Sequence, residues 1–142
     1  MTAAQECVLD ASITLAWALP DEASSYSDSM LKMVASGKAW VPDLWPHEVA
    51  NGLLMAQRRK RLSPAQRALF IEELLKLPIE VAGATARVVL ESQGALAERY
   101  ALTAHDAAYL DLALRKGIPL ATQDKALSDA AKRSGIVLAG AH

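Results

Sequence analysis

The sequence contains a single cysteine, Cys7, among 142 residues. One thiol excludes a disulfide framework within the chain, and its place in a short apolar segment predicts a buried residue without a chemical role. Aromatic residues are also scarce, at 5% of the chain, whereas 52% of the residues are hydrophobic and many of these are alanine. This balance favours helices packed closely on a sheet over a sandwich of aromatic-rich strands.

The chain also lacks a strong net charge and long apolar runs. Its formal net charge is -1, which excludes a general positive field that would draw the protein onto nucleic acid or an acidic membrane surface. Apolar stretches such as residues 13–19 are far shorter than a membrane-spanning helix, and the N-terminus has no signal-peptide pattern. We therefore expect one cytoplasmic domain over residues 1–142.

Short apolar segments alternate with helical segments along the chain. Five of them are predicted strands, at residues 7–9, 39–41, 79–81, 118–121 and 136–138. Ser63, Pro64 and Gln66 give the strongest helix-start signal, a capping box with proline in the first turn, and Asp21 is expected to cap the helix before the second strand. This order predicts an α/β fold, a three-layer α/β/α domain with a central, mostly parallel five-stranded sheet.

Four acidic residues follow predicted strands or begin predicted helices, namely Asp10, Glu48, Asp106 and Asp124. Taken singly, each is explained by helix capping or by the helix dipole. Together they occupy the carboxyl edge of a parallel sheet, where ligands bind in such folds. Converging carboxylates require a cation or shifted pKa values, and all-oxygen ligands favour Mg²⁺ or Mn²⁺ over zinc. We therefore expect one acidic, cation-binding site.

Other charged residues have simpler explanations. His47 and His105 each precede one of the acids, but adjacent helical residues point about 100° apart, so we expect surface or partly buried roles for both. Asp111 is expected to form an ordinary surface pair with Arg115, four residues later. The basic run at residues 58–61 is either a solvated helix end or a contact to RNA phosphates or to an acidic partner. The sequence leaves both interpretations open.

Four segments of the sequence resemble a known family. They are VLDAS at residues 8–12, PHEVAN at 46–51, LTAHDAAYL at 102–110 and LATQD at 120–124. In this order, and over nearly the whole chain, they are similar to PIN-domain ribonucleases, in particular to the VapC-type toxins of bacterial toxin–antitoxin pairs. The last two segments are the more specific, whereas the first two alone carry little information.

The resemblance implies a Mg²⁺-dependent endoribonuclease that cleaves RNA phosphodiesters with a metal-activated water, and in which Mn²⁺ can substitute. The catalytic and metal-binding residues would be Asp10, Glu48, Asp106 and Asp124. Hydroxyl groups at Ser12 and Thr122, and the polar Asn51 one turn from Glu48, would support that site.

The resemblance also implies a homodimer that is inhibited by a cognate antitoxin, whose tail enters the active site. The chain departs from the family pattern chiefly at Asp111, which lies in a normally apolar stretch, and at His47 and His105. These departures bear on the choice of substrate rather than on the chemistry. A PIN-like domain that binds metal, RNA or a partner without cleaving RNA is the alternative.

Overall fold

Four parallel strands form the centre of the protein, which a computed structural model describes over residues 5–140. The strands are β1 (Glu6–Leu9), β2 (Lys38–Pro42), β3 (Ile79–Ala82) and β4 (Leu120–Ala121). Their order in the sheet is β3-β2-β1-β4, and every pairing is parallel. The chain runs from β1 outwards to β3 and then returns to the other side of β1, so the strand order reverses between β1 and β4. Such a reversal opens a crevice at the carboxyl ends of the two strands.

In the part of the chain that the structure describes, the sheet has four strands rather than the predicted five. Residues 136–138 contribute one isolated parallel bridge, between Leu120 and Leu138. The carbonyl of Ala139, which would continue a ladder, instead accepts a hydrogen bond of 2.8 Å from the Tyr26 hydroxyl. Because β4 itself is only two residues long, the segment at 136–138 has too short a partner to form a strand.

Over residues 5–140, seven α-helices connect and flank the strands. They are α1 (Ala11–Ala18), α2 (Ser25–Ser36), α3 (Trp45–Arg58), α4 (Pro64–Leu74), α5 (Gly94–Tyr100), α6 (Ala104–Lys116) and α7 (Lys125–Arg133). The capping box predicted at Ser63 and Gln66 is confirmed, since each side chain bonds the backbone N–H of the other. The α/β layers with a parallel central sheet are also confirmed.

One helix start differs from the expectation, and one helical segment is of a rare type. Asp21 lies in a short 3₁₀ turn, Pro20–Glu22, and Ser24 caps α2 in its place, through a hydrogen bond of 3.0 Å from the Ser27 N–H. Ahead of α5, the residues Val88–Gln93 form a π-helix rather than an α-helix. Apolar residues recur at similar spacing in both kinds of helix, so periodicity does not distinguish them.

The core lies between the sheet and helices α1, α3 and α6. Its largest fully buried side chains include Leu9, Ile13, Leu53 and Tyr109. Cys7 is buried and unpaired, as predicted, and burial raises the pKa of its thiol to about 12. At ordinary pH this thiol therefore stays protonated and behaves as a small apolar residue.

A close approach between α1 and α3 depends on Gly52. A Cβ atom at this position would lie 2.5 Å from Leu15 Cδ1, so that a larger residue would force Leu15 into another rotamer or push the helices apart. The glycine thus lets α3, which carries Glu48, pack closely on α1, which begins next to Asp10.

Candidate active site

Asp10 lies at the end of β1, at the centre of the sheet edge, and begins α1. Its side chain is only 8% exposed. One oxygen, Oδ2, accepts hydrogen bonds of 2.8 Å from both the Ser12 and the Thr122 hydroxyl. Oδ1 accepts no hydrogen bond from residues 5–140. Every fully buried side-chain oxygen in these residues has a hydrogen-bond partner, so Oδ1 is partly exposed. Asp10 is therefore held by one oxygen and presents the other to solvent or to a ligand.

Thr122 joins Asp10 to the start of α7. While its hydroxyl donates to Asp10, the same oxygen accepts a hydrogen bond of 3.1 Å from the backbone N–H of Asp124. Asp124 caps α7, because its Oδ2 accepts a hydrogen bond of 2.8 Å from the N–H of Leu127. Asp124 is exposed, and its second carboxylate oxygen stays free for a ligand. The strand-end acids are thus linked across the crevice between β1 and β4.

Glu48, in the first turn of α3, is held from α6. The hydroxyl of Tyr109 donates a hydrogen bond of 2.5 Å to Glu48 Oε1. Tyr109 is 1% exposed, and burial, followed by the bond to Glu48, holds the pKa of its hydroxyl far above the usual range. The hydroxyl is therefore a permanent donor. Sequence reasoning gave Tyr109 no role, although it follows Asp106 by three residues and so shares its helix face.

Asp106 completes the set from the first turn of α6. Burial raises the pKa of this carboxyl, and the negative charges of Asp124, Asp10 and Glu48 raise it further. The side chain of Thr103 acts in the opposite direction and lowers this pKa. The Thr103 hydroxyl also accepts a hydrogen bond of 3.1 Å from the Asp106 backbone N–H. The four acids that were singled out in the sequence therefore lie close enough to repel one another.

No Lys, Arg or His within the described residues forms an ion pair with any of these four acids. Residues 5–140 also contain no group of three His, Cys, Asp or Glu side chains that are close enough to hold one metal ion together. The donors are all oxygen, which suits a hard cation, and Mg²⁺ is usually held by one or two carboxylates while it keeps several waters. The chemistry of the cluster fits such an ion.

Comparison with known proteins identifies the family. The sequence model of the PIN domain matches residues 7–133. The chain belongs to the PIN domain family. A search of curated proteins gives no match.

Solved structures share the fold of this PIN domain. PAE2754 from Pyrobaculum aerophilum superposes with a TM-score of 0.70 and 25% identity, covering 94% of this chain and 83% of that one. VapBC2 from Rickettsia felis, solved with a DNA fragment from its promoter, gives a TM-score of 0.65 at 15% identity, covering 94% and 97%. At that identity the second likeness shows the fold alone.

The predicted supporting residues of the PIN domain lie in different settings. Ser12 and Thr122 contact Asp10 directly, as described above. Asn51 is exposed, and its side chain forms no hydrogen bond with the rest of the described chain. A groove of about 450 Å³ runs past Ser12 and Asp124 and is lined further by Glu22 and Gln123. It gives an extended ligand a path to the acids.

The basic run of the PIN domain is partly used within the fold. Arg61 contacts Asp21 Oδ2 at 2.8 Å and Glu22 Oε1 at 3.6 Å, so its charge is already paired. Arg58 and Lys60 are exposed. No helix over the described residues is long and apolar enough to cross a membrane.

Proposed function

We propose that this PIN domain is a Mg²⁺-dependent endoribonuclease and the toxin of a toxin–antitoxin pair. The observation that supports this proposal is the convergence of four carboxylates from separate segments of the chain, none of which forms an ion pair with a Lys, Arg or His of residues 5–140. Such a cluster is costly unless it binds a cation. The open groove beside it leaves room for an extended strand, one phosphate of which would reach the bound ion.

Mg²⁺ would be held most directly by Asp10, through its free Oδ1, and by Asp124. Glu48 and Asp106 would close the site directly or through water, and Mn²⁺ should substitute because it accepts the same oxygen ligands. When bound, the ion supplies a water of lowered pKa and neutralises charge on the phosphodiester.

The protein's own residues have the task of fixing these oxygens. Ser12 and Thr122 hold Asp10 in one rotamer, and Tyr109 does the same for Glu48. Asp106, whose pKa is raised by burial and by the other acids, keeps its proton to higher pH than an ordinary carboxyl. It should release that proton when a cation replaces it.

The proposed partners are an RNA substrate, a second copy of the chain in a homodimer, and a cognate antitoxin that covers the acids in the cytoplasm. An antitoxin that enters the groove would block Asp10 and Asp124 from RNA. The likeness of the fold to VapBC2 supports this partner.

The proposal is tested by incubating the purified protein with structured RNA in Mg²⁺, in Mn²⁺ and with a chelator, and by mapping the new RNA ends. We expect cleavage in both metals, reversible loss on chelation, and growth arrest on expression that the neighbouring gene relieves. Metal or RNA binding without cleavage of any substrate would instead favour a non-catalytic PIN-like domain.

Tyr109→Phe should lower RNA cleavage roughly tenfold, because loss of an outer hydrogen bond to a metal-site residue usually costs ten- to a hundredfold. The loss should fall on kcat, since Glu48 would be misplaced rather than removed. The free energy of unfolding should fall by only about 1 kcal/mol, the usual net value of one hydrogen bond.

Tyr26→Phe is the matched control. Its hydroxyl donates a hydrogen bond of 2.8 Å to the Ala139 carbonyl and lies beside the backbone of Thr122, but it bonds none of the four acids. It should lose similar stability in urea unfolding and keep full cleavage. Equal cleavage by both variants would exclude a positioning role for Tyr109.

A further inference from the structure

A cavity of about 230 Å³ lies beside α6, at the same edge of the sheet as the four acids. Its walls include Asp43, which follows β2, and Gly83, which follows β3. Another wall comes from the first turns of α6, including His105 and Ala108. We call it the α6 cavity. Both the cavity and Asp106 lie at the start of α6. The described residues that line the cavity include none of the four acids.

A buried carboxylate lines the α6 cavity. Asp111 was expected to form a surface pair with Arg115; the pair is present, with 2.8 Å between Arg115 Nε and Asp111 Oδ2, but Asp111 is only 7% exposed. The same oxygen accepts a second hydrogen bond, of 3.2 Å, from Gln93 Nε2. Oδ1 accepts none from the described residues, and it is partly exposed, because every fully buried side-chain oxygen in those residues has a partner. The cavity therefore offers a hydrogen-bond acceptor that the fold does not use.

The backbone around the α6 cavity is unusual in the same place. Gln93 and Val89 both line the cavity and belong to the π-helix Val88–Gln93. Such segments are rare and occur frequently at functional sites. His105 and Asp111, two residues at which the chain departs from the family pattern, also line it. Independent features of sequence and backbone thus coincide at one cavity that the cleavage chemistry does not need.

We propose that the α6 cavity receives one base of the RNA strand, next to the phosphate that is cleaved. The inference rests on the proposed ribonuclease function. His105 in the cavity wall and Asp106 in the acidic cluster are consecutive, with Cα atoms about 3.8 Å apart, so adjacent nucleotides can occupy the two sites. Sequence-specific RNA recognition commonly takes an unstacked base and bonds its edge.

The lining indicates which base edge fits. Asp111 Oδ1 would accept an N–H, and the terminal nitrogens of Arg115, which have no partner within residues 5–140, would donate to a carbonyl. Pro42, Leu44 and Leu112 supply apolar walls for the ring. A base with an N–H beside a carbonyl is therefore favoured, and adenine, which has no carbonyl, fits worst. A cationic side chain of a protein partner fits less well, because Arg115 would repel it.

Asp111→Asn tests this inference. One amide oxygen can still accept from Gln93 and Arg115, while the amide nitrogen replaces the free acceptor with a donor. The substrates are RNAs that differ in one base on either side of the site at which the unmodified protein cleaves. At one of these positions the unmodified protein should disfavour adenine, and Asp111→Asn should weaken that preference about tenfold. The same change should appear in metal-free RNA binding, measured by fluorescence anisotropy.

Two further variants make the result decisive. Asp129→Asn removes an exposed acid that also pairs at i,i+4, with Lys125 at 3.6 Å, and should keep the original preference. His105→Ala changes the exposed mouth of the cavity without touching the core, and should raise KM for the preferred RNA severalfold.

The outcomes separate the two proposals. If the unmodified protein cleaves no RNA, the proposed function fails. If it cleaves RNA, yet Asp111→Asn and His105→Ala both leave the base preference and metal-free binding unchanged, the function stands and the base site is overturned. Weakened binding of an antitoxin, with RNA preference intact, would likewise overturn the base site.

Discussion

Asp10→Asn is expected to lower RNA cleavage by more than about a hundredfold. Mutation of a residue that only hydrogen-bonds to a metal ligand already lowers activity by up to about that factor. The free energy of unfolding of the metal-free protein should not fall. Cleavage rates on one RNA, together with urea unfolding in a chelator, measure both effects.

The stability half of this prediction follows from the contacts of Asp10. An asparagine oxygen can accept the same hydrogen bonds from Ser12 and Thr122 that Oδ2 accepts at 2.8 Å. Removal of the negative charge also removes its repulsion of Asp106, which is one cause of the raised pKa of that carboxyl. Functional sites commonly reduce stability in this way.

Asp28→Asn is the control for this variant, because Asp28 is an exposed acid in the first turn of α2. It should leave cleavage unchanged. Undiminished cleavage by a cleanly purified Asp10→Asn protein would remove Asp10 from the proposed site. A large loss of stability would instead assign it a structural role.

The sequence was informative wherever a feature depends on neighbours along the chain. The strand that ends at Asp10 and the capping box at Ser63 are patterns of fewer than ten residues, and the structure has both. The expected meeting of the four acids followed from a general rule about parallel sheets. The structure brings the acids together, while their metal-binding role stays a prediction.

The features that the sequence did not indicate depend on distant contacts. The bond from Tyr109 to Glu48 joins residues 61 positions apart. Asp111 is buried, and its hydrogen-bond donor Gln93 lies in a π-helix eighteen residues earlier. An arginine four residues after an aspartate occurs both with buried and with exposed aspartates. Composition and spacing therefore could not show that Asp111 is buried.

Divalent cations should stabilise the protein strongly, and this is the second large effect that we expect. A cation at about 100 times its dissociation constant adds about 2.7 kcal/mol to the free energy of unfolding. For a chain of this size that corresponds to a rise in Tm of roughly 8 °C. The rise should appear with Mg²⁺ and Mn²⁺ and should be mostly absent from Asp10→Asn.

This stabilisation should grow with pH. The folded-state pKa of Asp106 is raised above its ordinary value of 3.8, so its contribution to metal-free stability is fully present below that value and is lost as pH rises through the raised pKa. A cation binds the ionised carboxylates and therefore offsets what the metal-free protein loses. The gap between the two Tm curves should be small near the ordinary pKa of 3.8 and widen as pH rises through the raised pKa of Asp106.

Thermal unfolding over this pH range, in Mg²⁺ and in a chelator at matched ionic strength, measures the gap directly. Asp28→Asn should reproduce the unmodified curves, since its carboxylate is exposed and lies outside the acidic cluster. A pH-independent shift, or an equal shift in Asp10→Asn, would mean that the cation binds elsewhere. A gap that opens only above the raised pKa of Asp106 and closes in Asp10→Asn would place the cation among the four acids. Among the described carboxyls, Asp106 is the one whose pKa is raised, and the charge of Asp10 is one of the causes.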